Sequence, residues 1–132
     1  MQAASSLLLA ALAFTGCTSP QGDALLRQRT EPEYVDASAL SGTLTQKGNC
    51  FVVGNLSIIW PYDARLTQEN GIVAISSAKS NSRVKLGAPI LLMGGEITTE
   101  AVRRRPAEWK DLDASGCKPP YFLSGKFSGR AS

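Results

Sequence analysis

Cys50-Phe51-Val52-Val53-Gly54-Asn55-Leu56-Ser57-Ile58-Ile59-Trp60-Pro61 is the stretch on which the fold turns. Two short runs of β-branched and aromatic residues flank a Gly-Asn pair, the pattern of two strands joined by a tight hairpin turn. Pro61 stops the second run, because proline has no N–H to give to a ladder. The same texture continues on both sides. Ser41 to Thr45 alternates weakly, and Lys47-Gly48-Asn49 reads as a turn. Pro61 to Leu66 reads as loop. Asn70-Gly71, a strong hairpin signal, opens the run Ile72 to Ser76. Ser77 to Ser82 is polar loop, Arg83 to Leu86 alternates like a half-buried strand, and Gly87-Ala88-Pro89 turns into Ile90-Leu91-Leu92-Met93. Gly94-Gly95 ends that run.

Towards the C-terminus, Thr98 to Lys110 is the one place for a short helix, capped by Thr98 or Thr99 and limited by Pro106. Asp111 to Pro120 reads as loop, and Tyr121 to Phe127 as a last strand in which Gly125 marks a bulge. Six or seven short strands with turn signals between them predict an all-β domain, a small OB-like barrel or sandwich.

The N-terminus has a different character. Leu7 to Phe14 is an apolar run far shorter than the ~20 residues that span a bilayer, followed by small residues, as in an export signal. Phe14-Thr15-Gly16-Cys17 resembles the lipobox of bacterial lipoproteins, where the cysteine receives diacylglycerol, the signal is cut before it, and the new N-terminus is acylated. Met1 to Ser6 carries no Lys or Arg, where such signals are usually basic. Thr18 after the cysteine, in place of Asp, implies by the same resemblance the outer membrane, facing the periplasm. The alternative is an ordinary signal cut elsewhere, which leaves Cys17 as a spare thiol.

The lipobox resemblance implies a signal peptide over 1–16. The polar, irregular stretch with Pro20, Gly22 and Pro32 then reads as a flexible tether over 17–39, and the β-type runs from Leu40 as a small β-barrel domain over 40–128. Residues 17–132 suffice for one small domain. Within the tether, Ala24-Leu25-Leu26-Arg27 has the composition of a single helical turn. Three cysteines make an odd number, which lipidation of Cys17 explains. Cys50 and Cys117 then remain as a disulfide in an oxidising compartment. Two ligands of a metal are the other reading of that pair, and with no histidine in the chain and no neighbouring cysteine it has little support. We assign no metal and no cofactor.

The order Gly48-Asn49-Cys50, Ile59-Trp60-Pro61, Gly71, Gly87, Gly94-Gly95-Glu96, Gly116-Cys117 and Tyr121 is similar to a group of small exported bacterial domains of uncharacterised activity. That resemblance covers about 41–127. It implies the fold and the disulfide, and no chemistry.

Candidate sites are few. Absence of histidine excludes Ser-His-Asp and Cys-His machinery. Ser76-Ser77-Ala78-Lys79 matches Ser-x-x-Lys, but it sits at a strand end without the partner motifs that chemistry needs. We therefore expect no catalytic residues. Glu96, Glu100, Glu108, Asp111 and Asp113 lie close in sequence without a spacing that pairs them. The candidate binding surface is Trp60 and Tyr62, for stacking on sugar or peptide, with Arg103, Arg104, Arg105 and Trp109. Trp60, ending an apolar strand, is also a natural core residue. Trp109, between Glu108 and Lys110, has no evident reason to be buried. A net charge of +3 is too mild for nucleic acid. The expected partners are the membrane, through the lipid, and an envelope protein or anionic envelope glycan. A small-ligand carrier with a cavity inside the barrel is the alternative, and a histidine-free envelope hydrolase a more distant one.

Overall fold

The computed structural model describes residues 25–30 and 38–129. The expected signal peptide over 1–16 and Cys17 lie outside them. The quoted stretch forms the hairpin expected of it: β3 (Cys50–Val53) and β4 (Leu56–Ile59) around Gly54, whose φ of 63° is the left-handed value that glycine adopts without a Cβ clash. Three more strands close these two into a barrel. They are β2 (Ser38–Lys47), β8 (Pro89–Ile97) and β10 (Tyr121–Gly129), in the order β10-β4-β3-β2-β8. Every pairing is antiparallel except β4 with β10, which run parallel with Tyr121 beside Ser57. A five-stranded closed barrel of this size is OB-like, with the single disulfide Cys50–Cys117.

Between β4 and β8 the chain builds a separate three-stranded sheet from β5 (Ala64–Glu69), β6 (Ile72–Ser77) and β7 (Ser82–Lys85). The β5–β6 turn is Asn70-Gly71, both at positive φ as a primed hairpin turn requires. The sequence reading placed loop over the first half of β5. Ladder pairing with β6 makes it a strand, and Ala64 and Leu66 turn towards the core while Arg65 faces solvent.

Strand alternation explains the core. Leu44 is buried between exposed Thr43 and Thr45, and Ile90, Leu92 and Gly94 alternate inward along β8. On β10 the buried positions Phe122 and Ser124 are even, and Phe127 is odd. The register shift between Ser124 and Lys126 is the bulge at Gly125 that moves the pattern by one residue. Gly94-Gly95 does not end β8 as expected. The strand runs through both, because a side chain at Gly94 would lie 1.9 Å from the carbonyl oxygen of Leu123 on β10, so only glycine permits that pairing.

The segment between β8 and β10 folds over the outside of the barrel. It comprises α1 (Thr99–Arg104), a 3-10 turn (Pro106–Glu108), β9 (Trp109–Lys110) and α2 (Leu112–Ser115). The helix is the expected one: the Thr98 hydroxyl accepts from the Ala101 amide, and Pro106 opens the 3-10 turn. The second helix falls where only loop was expected.

The tether reading needs correction at the residues of 17–39 that pack or pair with the rest of the fold, 25–28 and 38–39. Leu25 and Leu26 are 2% and 1% exposed, and β1 (Arg27–Gln28) pairs antiparallel with β9, Arg27 opposite Lys110 and Gln28 opposite Trp109. Among the described residues the fold therefore takes in 25–28 and 38–39, ahead of residue 40. Adjacent leucines in extended chain point to opposite sides. Leu25 enters the main core with Phe51, Ile58, Trp60, Phe122 and Phe127, and Leu26 enters the outer layer with Ile59, Val102, Trp109 and Tyr121.

Candidate binding surface

Disulfide, outer layer and β1 together close one wall of the barrel. The outward side of β3 and β4 carries Cys50, Val52, Ser57 and Ile59, all buried. The disulfide joins Cys50 at the start of β3 to Cys117 beyond α2, and the Ser57 hydroxyl donates to the Lys118 carbonyl. OB barrels commonly present the face of their second and third strands to ligands. Here that face is occupied by residues 98–120 of the same chain.

Trp60 is fully buried, its ring 5.2 Å from that of Phe127 in an edge-on arrangement at 81°, and its Nε1 has no hydrogen-bond partner among the described residues. It is a core residue and is withdrawn from the candidate surface. Trp109 is withdrawn as well. It is 4% exposed, and its Nε1 donates to the Val102 carbonyl at 2.9 Å. The missed signal was the alternation Glu108-Trp109-Lys110, charged–aromatic–charged, which in extended chain sends the charges outward and the ring inward.

What remains on the surface falls in two places. Arg103 and Arg104 end α1 and Arg105 follows it, all three exposed; Arg105 faces Glu108 at 3.5 Å, and Arg103 and Arg104 make no ion pair among the described residues. An exposed pair such as Arg105–Glu108 contributes little to stability. The arginines at the helix C-terminus are favourably placed against its dipole, although six residues make a small one. Beneath them Tyr121 donates its hydroxyl to the Cys117 carbonyl at 3.4 Å. Burial pushes the Tyr121 phenol above its usual value, with Arg103 opposing and Asp113 adding to the shift.

Tyr62 is the other survivor, 37% exposed at the mouth of β5, with the Lys79 ammonium 5.9 Å from its ring centre. Next to it Asp63 organises the β6–β7 turn. Its Oδ2 accepts from the Ser77 hydroxyl and from the Lys79 amide, both at 2.8 Å, and the Ser80 hydroxyl donates to that of Ser77 at 3.0 Å. The Ser-x-x-Lys match runs from the end of β6 into this turn, and Ser77, not Ser76, makes the polar contact, to a carboxylate. The carboxylates of the 96–113 stretch form no group of three with metal-binding potential among the described residues. Nor is the barrel interior open: Leu44, Phe51, Ile58, Trp60, Ile90, Leu92, Phe122 and Phe127 fill it. The carrier alternative therefore has no support from the core.

No protein-family model, no curated protein and no solved structure matches this chain. Among the described residues no helix is long and apolar enough to cross a membrane.

Proposed function

We propose that this is a lipid-anchored cell-envelope protein, a bacterial lipoprotein whose disulfide-bridged OB-like domain works by binding or by supporting an assembly, without catalysis. The observation that supports the reading is the distribution of cysteines. Cys50 and Cys117 are joined in a disulfide, so the odd cysteine is Cys17, which follows a short apolar run and a small residue. Several acyl chains on one residue give stable anchoring, where one alone holds only marginally. The residues offered to a partner, an envelope protein or an anionic glycan, are Arg103, Arg104 and Arg105 on the outer layer and Tyr62 beside the three-stranded sheet.

The test is the mass of the mature protein extracted from membranes, with and without reduction, beside a Cys17→Ser control. The reading expects a chain starting at Cys17 with an added acylated glycerol, a gain of two hydrogens on reduction, and release of the control from the membrane. A soluble mature protein with an unmodified Cys17 thiol would overturn it.

A further inference from the structure

We infer that β1 is a clasp that shortens the leash of the anchored domain, holding the barrel against the bilayer instead of letting it range through the envelope. The inference rests on the lipid-anchored reading above, and adds to it where the domain stands and what sets that distance.

Cys17 lies eight positions before Leu25, which is buried in the core. A polypeptide spans at most ~3.3–3.6 Å per residue, so the stretch between them reaches no more than about 28 Å. With β1 detached, the first barrel residue would be Ser38, and the limit would rise to about 70 Å. Whether β1 is docked therefore decides whether a partner is met within about one domain diameter of the membrane or well beyond it.

Three kinds of contact hold the clasp. Leu25 and Leu26 are buried in different layers. The backbone of β1 is bonded on two sides: the Trp60 amide donates to the Leu26 carbonyl and the Gln28 amide to the Trp60 carbonyl, each at 2.9 Å, while the Arg29 amide donates to the Glu108 carbonyl at 3.0 Å. The buried Gln28 side chain adds a bond from Nε2 to the Ser124 carbonyl at 2.8 Å, and the Arg27 guanidinium one to the Ala64 carbonyl at 2.8 Å. β1 thus touches the end of β4, the middle of β10, the start of β5, and the outer layer. The surface it adjoins is the one offering Arg103–Arg105, since Arg29 bonds to Glu108 and Glu108 faces Arg105. A partner of that surface is accordingly met close to the bilayer.

The test uses the full lipidated protein in liposomes, with a fluorophore on Lys85→Cys, an exposed site on β7, and an acceptor dye in the lipid headgroups. Energy transfer should place the label within about one domain diameter of the bilayer. The double substitution Leu25→Ser, Leu26→Ser should lower the transfer, as should a 20-residue Gly-Ser spacer inserted after Thr18. Amide exchange in the detergent-extracted protein gives a readout that needs no membrane: the Gln28 and Trp60 amides should be protected, and at least tenfold faster to exchange in the leucine variant. Unprotected amides, or a wild-type transfer equal to that of the spacer variant, would overturn the clasp while leaving the anchor intact. A Cys17 without lipid would overturn the anchored reading itself, and with it the placement of the domain, even if both amides are protected.

Discussion

Truncating Trp109 is the sharpest test of how the outer layer is held. Its indole is 4% exposed, packs with Leu26, Ile59, Val102 and Tyr121, and donates to the Val102 carbonyl that closes α1. Trp109→Ala removes the ring, leaves a cavity between the layer and β4, and takes one of two donors from the Val102 carbonyl, which keeps only the Arg105 amide at 3.4 Å. Large-to-small changes of this kind cost about 3–5 kcal/mol. Domains of this size have a total stability of about 5–15 kcal/mol, so the variant should be marginal. Trp109→Phe keeps most of the packing and loses the hydrogen bond, at a cost of about 1–2 kcal/mol. Urea unfolding of the oxidised protein measures both. At an m-value of about 1.5 kcal/mol/M the alanine variant should lose roughly 2–3 M in midpoint, with the phenylalanine variant between it and the wild type. Acrylamide should quench neither tryptophan of the native wild type efficiently. An alanine variant within about 1 kcal/mol of wild type, together with a Trp109 freely quenched in the native state, would refute the reasoning: the ring would then be on the surface, as its charged neighbours first suggested.

Three further outcomes are expected. Cys50→Ser with Cys117→Ser opens a link across 67 positions, which the chain-entropy model values at roughly 4 kcal/mol; denaturation of oxidised and reduced protein should differ by that order, and equal midpoints would show that the bridge constrains nothing. Gly94→Ala places a methyl group 1.9 Å from the Leu123 carbonyl oxygen, so the β8–β10 pairing must shift; we expect a loss of at least 2 kcal/mol by thermal unfolding, whereas Gly95→Ala, with nothing within 4 Å, should stay within about 1 kcal/mol. Because burial raises the Tyr121 phenol above its unfolded value of about 10, the unfolded chain gives up that proton first as pH rises. Stability should be unaffected by this group below pH 10 and fall above it, and Tyr121→Phe should flatten that alkaline decline in a pH series of denaturation curves.

The parts of the fold that sequence alone reveals are those in which local preference and burial agree. Cys50–Val53 and Leu56–Ile59 are buried on both faces because the barrel covers one side and the outer layer the other, and their turn glycine marks the break. Thr98 signals its cap for the same reason of local chemistry. The misreadings arise where a residue answers to a distant neighbour. Gly94 looks like a stop and is a point of close strand approach, set by Leu123 nearly thirty positions away. Leu25-Leu26 looks like a helical turn because two adjacent leucines carry no period, and only the two layers on either side give each a destination. Arg65 disguises β5, whose buried side is just Ala64 and Leu66. Of the candidate surface, the arginines and Tyr62 were legible as polar or amphipathic groups in loops, whereas both tryptophans depended on packing that spacing does not display.

The Gln28 side chain bonds to the Ser124 carbonyl across 96 positions, and the β4–β10 pairing sets Tyr121 beside Ser57. Such wide separations set a folding order. A chain synthesised from its N-terminus cannot seat β1 or close the barrel until almost all of it is available, and topologies dominated by distant contacts fold slowly. Until β10 arrives, β4 and β8 each present an unpaired edge, which invites pairing with other chains. A product cut short before Tyr121 would keep both edges permanently, so ribosomal stalling or clipping near the C-terminus should give aggregates instead of a shortened but working domain.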